Sequence, residues 1–430
     1  MQPIVIATIL SWLSLTGSTD PVAVADPAAV VDPVVRAESE WRAAATTGLH
    51  RALYYLLDHQ EPDGAFGHWR GPIGSDDWGW PVPGQHYAWQ VATTAITCVT
   101  LMDLAEVAPE GSAEKIRKAM HRGLDHICEN GRRKRILNWD TDNVWAYVYA
   151  LEAVARALAE DPAAIGSERR GRLRKLGEDL IVTLELYQSP DGGWAYYDDP
   201  PITRRPTWGT SFVTASLLLI FEQCEVVGLT VPDKMQQRGL RALRRCRLPN
   251  GAYDYNVSVI PSSRGLTGIN QIKGSLCRIQ VGNLALRVCG DDGEVSYEEI
   301  VTGLDQFLVR HHKFISLSRG RPHPHEAYYA NSGYFFFYGH YYAGDLIRLL
   351  PQELRLQWWP KLIEKILATQ EPDGSMWDYS FFSYHRIYGT AWSASVLAKA
   401  LKESPLQKRI ENIENIENIE KQPRKPQRVR

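Results

Sequence analysis

The sequence predicts an all-α protein whose main domain is a closed (α/α)6 toroid of six helical hairpins. Three observations lead to this prediction. A short Asp-Gly or Asn-Gly turn recurs about every 60 residues, an amphipathic helical pattern precedes each turn, and a more apolar helical pattern follows it. Such a period is typical of stacked helical units, which bury their apolar faces only against neighbouring units.

The turn signals mark the boundaries of the units. Three of them have nearly the same wording: QEPDGAF, QSPDGGW and QEPDGSMW. One interval is about twice as long as the others, and Gly320 falls near the missing signal. Because Pro ends a helix and Asp with Gly makes a tight reversal, we interpret the recurring phrase first as an architectural joint. The glycines of the signals are Gly64, Gly131, Gly192, Gly251 and Gly374.

Each turn is flanked by two helical patterns of different character. The outer pattern carries charges along one face, as expected for a helix with one side in solvent, whereas the inner pattern is apolar nearly all round, as expected for an enclosed helix. The predicted outer helices span residues 41–60, 114–129, 168–188, 232–247, 295–312 and 352–370. The predicted inner helices span residues 88–104, 142–158, 210–221, 273–288, 333–350 and 389–401.

The two ends of the array predict that the stack closes on itself. An open superhelical stack needs polar end units, whereas the first and last helix pairs here resemble the middle ones. In a closed ring every inner helix begins at the end that carries the joints. Their N-termini, with free N–H groups and a partial positive charge, therefore surround one opening. Thr210 and Thr390 are predicted to cap two of these helices.

The toroid is predicted over residues 41–404, between segments of different composition. Residues 1–25 are predicted as a secretory signal peptide, because an apolar stretch over residues 3–15 is followed by the small-residue cleavage site Ala23-Val24-Ala25, and residues 26–40 as a linker rich in Pro, Ala and Val. This organisation indicates a secreted or periplasmic protein without a later transmembrane span; an uncleaved anchor helix is the alternative. Residues 405–430, with their repeated Glu-Asn-Ile, form a predicted low-complexity tail.

The net charge and the cysteine content of the chain restrict its possible binding partners only a little. The formal net charge of −2 offers no broad basic field, so no nucleic-acid partner is predicted. The 6 cysteines are scattered without Cys-x-x-Cys spacing and are predicted to be buried thiols, with one or two disulfides left open. The oligomeric state is not predicted.

The phrases QEPDGAFG, QSPDGGWAY and QEPDGSMWDY resemble the QW-type motifs of the prenyltransferase and squalene-oxidase repeat proteins, within the terpenoid cyclase and protein prenyltransferase superfamily. The segments YGTAW from Tyr388 and YGHYY from Tyr338 are similar to inner-helix starts of bacterial members. The resemblance covers residues 41–403 and implies the toroid fold. It does not imply one activity, because such toroids include triterpene cyclases, protein prenyltransferases, thioester domains and uncharacterised exported proteins.

The cyclase branch of this resemblance implies a catalytic acid. Squalene-type cyclases protonate an alkene from an Asp-x-Asp-Asp at an inner-helix start, and Asp140-Thr141-Asp142-Asn143 matches it in three of four places. The resemblance thus implies Asp142 as the proton donor, tuned by Asp140 and Asn143. The departure at Asn143 removes one acid. The alternative is structural, with Asp142 as a helix cap and Asp140 as a turn residue.

The other branches fit less well. Protein prenyltransferases hold zinc through Asp, Cys and His, and this chain has Asp373 and His385 but Ser375 at the thiolate position. A thioester domain is matched only by the spacing of Cys277 and Gln280. No metal and no cofactor are predicted.

The inner helices and their connections also predict a ligand site around the opening. Aromatic faces stabilise cations and stack on isoprenoid chains or sugar rings, and arginines attract anions. The predicted ligand-binding residues are His86, Tyr87, Trp145, Trp208, Tyr338, His340, Tyr341, Trp377, His385, Tyr388, Arg264 and Arg386.

Three functions are compatible with this lining. The first is binding or transformation of an isoprenoid or related lipid in the central cavity, by a terpene cyclase or mutase-like enzyme if the protein is catalytic. The second is an enzyme or receptor for an acidic polysaccharide. The third is a non-catalytic scaffold that holds another protein. Whether any chemistry occurs is left open by the sequence.

Overall fold

A computed structural model describes residues 33–68, 83–132, 143–197, 206–257, 268–379 and 382–403. The predicted signal peptide and tail, and the site residues Asp140, Asp142 and Arg264, lie outside these ranges. The described residues are helical and contain no β-strand, only isolated bridges at the joints. No helix among them combines the length and apolar character needed to cross a membrane.

The helices alternate between an outer and an inner layer. The outer helices are α1 (Pro33–Asp58), α3 (Ala113–Asn130), α6 (Ser167–Tyr187), α8 (Asp233–Cys246), α10 (Tyr297–Asp305) and α13 (Gln352–Leu367). The inner helices are α2 (Pro83–Leu104), α4 (Val144–Ala159), α7 (Ser211–Val226), α9 (Leu276–Cys289), α12 (Phe335–Leu349) and α14 (Ser383–Leu401). Two short helices, α5 (Pro162–Ile165) and α11 (His312–Ser316), belong to the connections.

The inner helices form a closed ring. Helix α2 packs on α4, α4 on α7, α7 on α9, α9 on α12 and α12 on α14, and α14 packs back on α2. Each outer helix packs against an inner one, and α1 covers α14, so the first and last units also meet in the outer layer. The predicted closed toroid of six helical hairpins is therefore confirmed.

The two layers differ in burial as their sequences predict. Nearly every residue of α4 is buried, including small ones such as Ala146, Ala150 and Ala153, because this helix has neighbours on both sides and an outer helix behind it. Outer helix α8 buries only one stripe, which includes Met235, Ala242 and Leu243, and leaves its arginines toward solvent. The six cysteines are free thiols, and all but Cys289 are buried.

The three similar joints share one hydrogen-bond pattern that explains their wording. At the first joint the Gln60 side-chain amide donates both to Gly64 of its own turn and to Ala119 of the next outer helix. Arg122, one turn further along α3, donates back to the joint carbonyls of Glu61 and Pro62. The equivalent donors are Gln188 with Arg238 at the third joint and Gln370 with Arg51 at the sixth.

The sixth joint uses this pattern to close the ring. Gln370 donates to Gly48 of α1, and Arg51 of α1 donates to Glu371 and Pro372. Gly374 has φ +91°, and a Cβ there would lie 2.5 Å from the Arg51 carbonyl oxygen, so only glycine fits. The joint is thus a docking element as well as a turn.

Some boundaries differ from the sequence prediction. Helix α1 already begins at Pro33, inside the predicted linker, and α14 begins at Ser383 rather than at residue 389. The predicted fifth outer helix is interrupted after Asp305 by a π-helical turn over Gln306–Arg310. Thr390 therefore lies within α14, and its hydroxyl accepts a hydrogen bond from the Met376 amide instead of capping the helix. Thr210 precedes α7 but makes no side-chain cap.

Candidate functional site

A closed circuit of aromatic side chains surrounds the end of the ring where the inner helices begin. Neighbouring members have ring centroids 4.9 to 6.3 Å apart, and the last member contacts the first. The members of this aromatic circuit, in order around it, are Trp145, Tyr196, Phe212, Tyr255, His325, Tyr334, Tyr379, His385, Tyr388, Trp392 and Tyr149. The circuit forms because the joints and the helix starts that carry these rings share one end of the toroid.

The circuit is open toward solvent and closed toward the ring interior. Trp145 and Tyr388, near the starts of α4 and α14, are half-buried, whereas Tyr149 and Trp392, one turn deeper, are buried. Tyr196, Trp145 and Tyr149 stack nearly parallel, with interplanar angles of 9° and 13°. This arrangement lines the end of the ring where the inner helices begin, here called the mouth, with aromatic side chains.

Asp378 is the buried acid of the circuit. Its side chain is fully buried, the Tyr388 hydroxyl donates a 2.6 Å hydrogen bond to its Oδ1, and the Phe337 amide lies 3.4 Å from its Oδ2. Burial raises the pKa of Asp378 to about 7, although these donors and Arg319 favour the charged form. The carboxyl is therefore substantially protonated near neutral pH.

A hydrogen-bonded chain connects this acid to a histidine. The Tyr388 oxygen lies 2.8 Å from Nδ1 of His385, so Asp378, Tyr388 and His385 form one chain. Burial lowers the pKa of His385 to about 3 and raises the pKa of Tyr388 well above its usual value. A carboxylic acid, a phenol and a neutral imidazole can pass a proton in either direction, which suits general acid catalysis.

Asp378 was not among the predicted site residues. It lies four positions after the joint glycine, where the first, third and fourth joints carry His68, Tyr196 and Tyr255. An acid in a position that is occupied by aromatic rings at three other joints was the available signal. Its burial, which makes the carboxyl chemically useful, follows from the ring closing around it and could not be inferred from the residue alone.

Several predicted residues lie in or directly below the circuit. Trp145, His385 and Tyr388 are members of it. Tyr338 lies deeper, where its hydroxyl donates to the Phe212 carbonyl, and Tyr341 lies deeper still, 3.3 Å from Glu152. These residues come together because they share the ring-facing side of α4, α12 and α14.

Three predicted residues lie beside the circuit. Trp208 is half-buried and contacts Tyr197, the neighbour of a circuit member, with centroids 5.1 Å apart. Trp377 lies between the guanidinium groups of Arg319 and Arg386, at 5.2 and 5.5 Å. Arg386 also donates to Ser375 in the sixth joint, so both Trp377 and Arg386 belong to the outer side of this joint.

Other predicted residues lie elsewhere. His86 is 3.2 Å from the Tyr384 hydroxyl and contacts Phe382 and Trp89, while its neighbour Tyr87 is exposed. His340 faces away from the ring interior, stacked on Phe336.

His340 pairs with an outer-layer histidine, since its Nε2 is 3.2 Å from Nε2 of His312. This packing keeps His340 out of reach of a ligand at the mouth. Asn143, at the start of α4, is buried, and its side-chain amide has no hydrogen-bond partner among the described residues.

The opposite end of the ring carries a buried charge cluster, here called the floor. Asp103 of α2 pairs with Arg156 of α4 at 2.5 Å, and Lys399 of α14 pairs with Asp345 of α12 at 2.8 Å. Although burial disfavours its charge, Arg156 and Lys399 hold the pKa of Asp103 below the usual range.

The floor also holds a neutral acid. Burial raises the pKa of Glu152 to about 7, although Arg156 and Lys399 oppose this, and the Tyr341 hydroxyl donates to its carboxyl. With Glu152 protonated the two ion pairs balance. The floor thus joins α2, α4, α12 and α14 with no net charge.

Comparison with known proteins finds solved structures that are similar to this chain only at low sequence identity. No family model and no curated protein matches the chain. A variant of the type II terpene cyclase MstE from Scytonema, in complex with its substrate geranylgeranyl dihydroxybenzoate, is 16% identical over 84% of this chain and 99% of its own, with a TM-score of 0.46.

Two carbohydrate-related structures are comparably similar. A possible member of the glycoside hydrolase 105 family from Salmonella enterica is 12% identical over 88% of this chain and 96% of its own, with a TM-score of 0.49. A glycoside hydrolase family 76 mannosidase from Bacteroides thetaiotaomicron is 10% identical over 82% of this chain and 98% of its own, also with a TM-score of 0.49. At these values neither a reaction nor a ligand follows for this chain.

Proposed function

We propose that this α/α toroid binds an isoprenoid or related lipid against the aromatic circuit and isomerises it by acid catalysis, in the manner of a terpene cyclase. The observation that supports this proposal is the position of Asp378. It is a carboxyl held protonated near neutral pH, within a closed set of aromatic faces and at the end of a hydrogen-bonded chain. Such a reaction needs an acid that protonates the alkene and a surface that stabilises the resulting carbocation.

The reaction balances without a co-reactant. The O–H bond of the Asp378 carboxyl breaks, its proton adds to one carbon of an alkene, and the other carbon becomes cationic. A second alkene attacks this cation and forms a ring, while aromatic faces stabilise the positive charge. Loss of a proton from a neighbouring carbon forms a new alkene and returns the proton to the carboxylate, so substrate and product are isomers.

Asp142 is a second candidate acid for the same reaction, with Asp140 and Asn143 as its tuning residues. This assignment rests on the resemblance of these residues to the cyclase motif. It is compatible with the same mouth, because Asn143 directly precedes α4 and lies two positions before Trp145 of the circuit.

An acidic polysaccharide is the alternative ligand. The parallel stack of Tyr196, Trp145 and Tyr149 favours it, because sugar rings pack on such faces and the neighbouring His385 and Tyr388 offer hydrogen bonds. The carboxyl at the mouth would then act on a glycosidic linkage.

Substrate screening separates these functions. The purified protein is incubated with farnesyl and geranylgeranyl diphosphate, geranylgeraniol and squalene, and in parallel with polygalacturonate, alginate and heparin, and products are identified by mass spectrometry. We expect a cyclised isomer from one isoprenoid, absent with Asp378→Asn and present with the floor variant Glu152→Gln. Cleaved glycan would establish the alternative, and no product from either panel would favour a scaffold.

We also propose that the protein is secreted or periplasmic, on the strength of its apolar N-terminal segment. Fractionation of cells that express the full chain, with N-terminal sequencing of the mature protein, tests this location. Recovery of the uncut chain in the cytosol would overturn it.

A further inference from the structure

A second cleft lies outside the ring, at the seam where the first and last units meet. It has a cavity volume of about 160 Å³, enough for a small molecule but below the range typical of drug-sized ligands. The last turn of α1, the first joint and the first turn of α14 surround it. The residues that line this seam cleft are Tyr55, Asp58, His59, Gln60, Glu61, Gly67, His68, Ser383 and Ile387.

The charged groups of the seam cleft are of one sign. Asp58 and Glu61 bring two carboxylates, and among the described residues no Lys or Arg lines the cleft. Asp58 is exposed and forms no ion pair within the described residues, while Glu61 lies 3.6 Å from Nε2 of His68. Burial raises the pKa of Tyr55 and the positive charge of Arg386 lowers it, but Arg386 is itself paired with Asp373 at 3.9 Å. The cleft therefore favours a positively charged ligand.

Tyr55 supplies an independent reason to expect a ligand. It is 6% exposed and lines the cleft, yet no hydrogen bond joins its hydroxyl to another described residue. Burial raises the pKa of Tyr55 to about 12, so the phenol keeps its proton. Because the hydroxyl oxygen is not itself fully enclosed, it can form a hydrogen bond with a ligand in the cleft.

Hydrogen-bond acceptors outnumber donors around this phenol. Tyr55 stacks on His59 with centroids 3.9 Å apart, and Nδ1 of His59 is 2.7 Å from the Tyr55 carbonyl oxygen, which it must donate to. Nε2 of a neutral His59 is then left as an acceptor. Together with the two carboxylates it fits a group that carries several N–H donors.

The ligand expected from this chemistry is an organic cation. Among the described residues no three His, Cys, Asp or Glu side chains are arranged to hold a metal ion. A primary ammonium has three donors and one charge, and an alkyl chain can rest on Ile387. We propose that the seam cleft is a binding site for a small aliphatic amine with one or more primary ammonium groups.

Titration calorimetry of the full chain at low ionic strength tests this site, with putrescine and spermidine as probes and 1,4-butanediol as the uncharged control. We expect one saturable site for the amines and none for the diol. Asp58→Asn and Glu61→Gln should each weaken binding about tenfold, because each removes a charge-assisted hydrogen bond. Tyr55→Phe should weaken it several-fold, since the phenyl ring is kept.

A matched control separates this site from general charge attraction. Glu114→Gln removes an exposed carboxylate of α3 and should leave the amine affinity unchanged. Thermal unfolding of each variant establishes that it is folded. Absence of saturable amine binding to the wild type, or equal affinity in the Asp58→Asn, Glu61→Gln double variant, would overturn the proposal. Neither outcome depends on turnover at the mouth.

Discussion

The mouth and the floor of the ring hold two buried carboxyls that have similar pKa values and different surroundings. Burial raises the pKa of Asp378 at the mouth and of Glu152 at the floor to about 7, and each accepts a hydrogen bond from a tyrosine. Asp378 adjoins half-buried rings and a neutral histidine, whereas Glu152 lies between two buried ion pairs.

This difference teaches that a perturbed pKa identifies a functional acid only together with a route to a ligand. Burial raises the pKa of Glu152, and its protonated form leaves the floor, which joins four inner helices, without net charge. Burial also raises the pKa of Asp378, which lies beside the half-buried rings of the mouth. The same physical cause, burial, thus has a structural result at one end and a proposed chemical result at the other.

The largest expected effect is on turnover. Asp378→Asn keeps the shape of the side chain but cannot donate an acidic proton, so we expect the rate to fall by about 10²- to 10⁴-fold. Glu152→Gln should keep most of the activity. Rates measured with the substrate found by screening check both variants. Equal losses in the two variants would remove the distinction between mouth and floor.

The next effect is on stability at the floor. Arg156→Met leaves Asp103 buried without its partner, so we expect the free energy of unfolding to fall by about 3–5 kcal/mol. Arg132→Met is the matched control, because Arg132 pairs with Asp179 at the surface and should cost about 0–1 kcal/mol. Denaturant unfolding measures both. A loss at Arg156 no larger than that at Arg132 would show that the floor does not hold the ring together.

The dependence of stability on pH sharpens the comparison further. The folded state raises the pKa of Glu152 from 4.5 to about 7, so it holds a proton that the unfolded chain releases within this window. The stabilisation is complete below pH 4.5 and is lost as the pH rises to about 7, with a total of about 3 kcal/mol.

Glu152→Gln should therefore flatten this fall in the free energy of unfolding, measured by denaturant titration from pH 4.5 to 8. Asp378→Asn should flatten it in the same direction, because the pKa of Asp378 is raised as well. An unfolding free energy that rises through this window in wild type and is unchanged by either variant would contradict the burial argument.

The smallest expected effect is on the two tyrosines that donate hydrogen bonds to these carboxyls. Tyr341→Phe and Tyr388→Phe each remove one hydrogen bond to a carboxyl and should each cost about 1 kcal/mol of stability. The Tyr388 hydroxyl also lowers the pKa of Asp378, so Tyr388→Phe should move the alkaline limb of the pH-rate profile to higher pH. Tyr341→Phe should leave this limb in place, and a shift in both variants would argue against separate roles.

The fold was predictable because its signals are local and repeated. The joint wording, the Gln and Arg side chains that dock three of the joints, and the apolar inner helices recur along the chain, and closure followed from the similarity of the end units. The prediction that His340 binds a ligand did not take into account which side of α12 each residue occupies. Tyr338, Tyr341 and Tyr342 face the ring, but His340 lies on the opposite face with Phe336, as a 3.6-residue period requires.

The site was predictable only in part. The rings Trp145 and Tyr388 follow from their places at helix starts, but Asp378 depends on burial by elements distant in the chain. The pairing of Asp103 with Arg156 and of Asp345 with Lys399 joins consecutive inner helices, but it depends on which faces of these helices meet in the ring. Such contacts are properties of the closed structure and have no sequence period.

Photo-crosslinking with a geranylgeranyl analogue that carries a diazirine tests the central claim most directly, because it reports where the ligand lies. Mass spectrometry of the digested protein should find adducts on the half-buried rings of the mouth, such as Trp145, Tyr196 and Tyr388, and excess unlabelled ligand should abolish them. Adducts confined to the floor or the outer helices, or mouth labelling that unlabelled ligand does not compete away, would contradict the account.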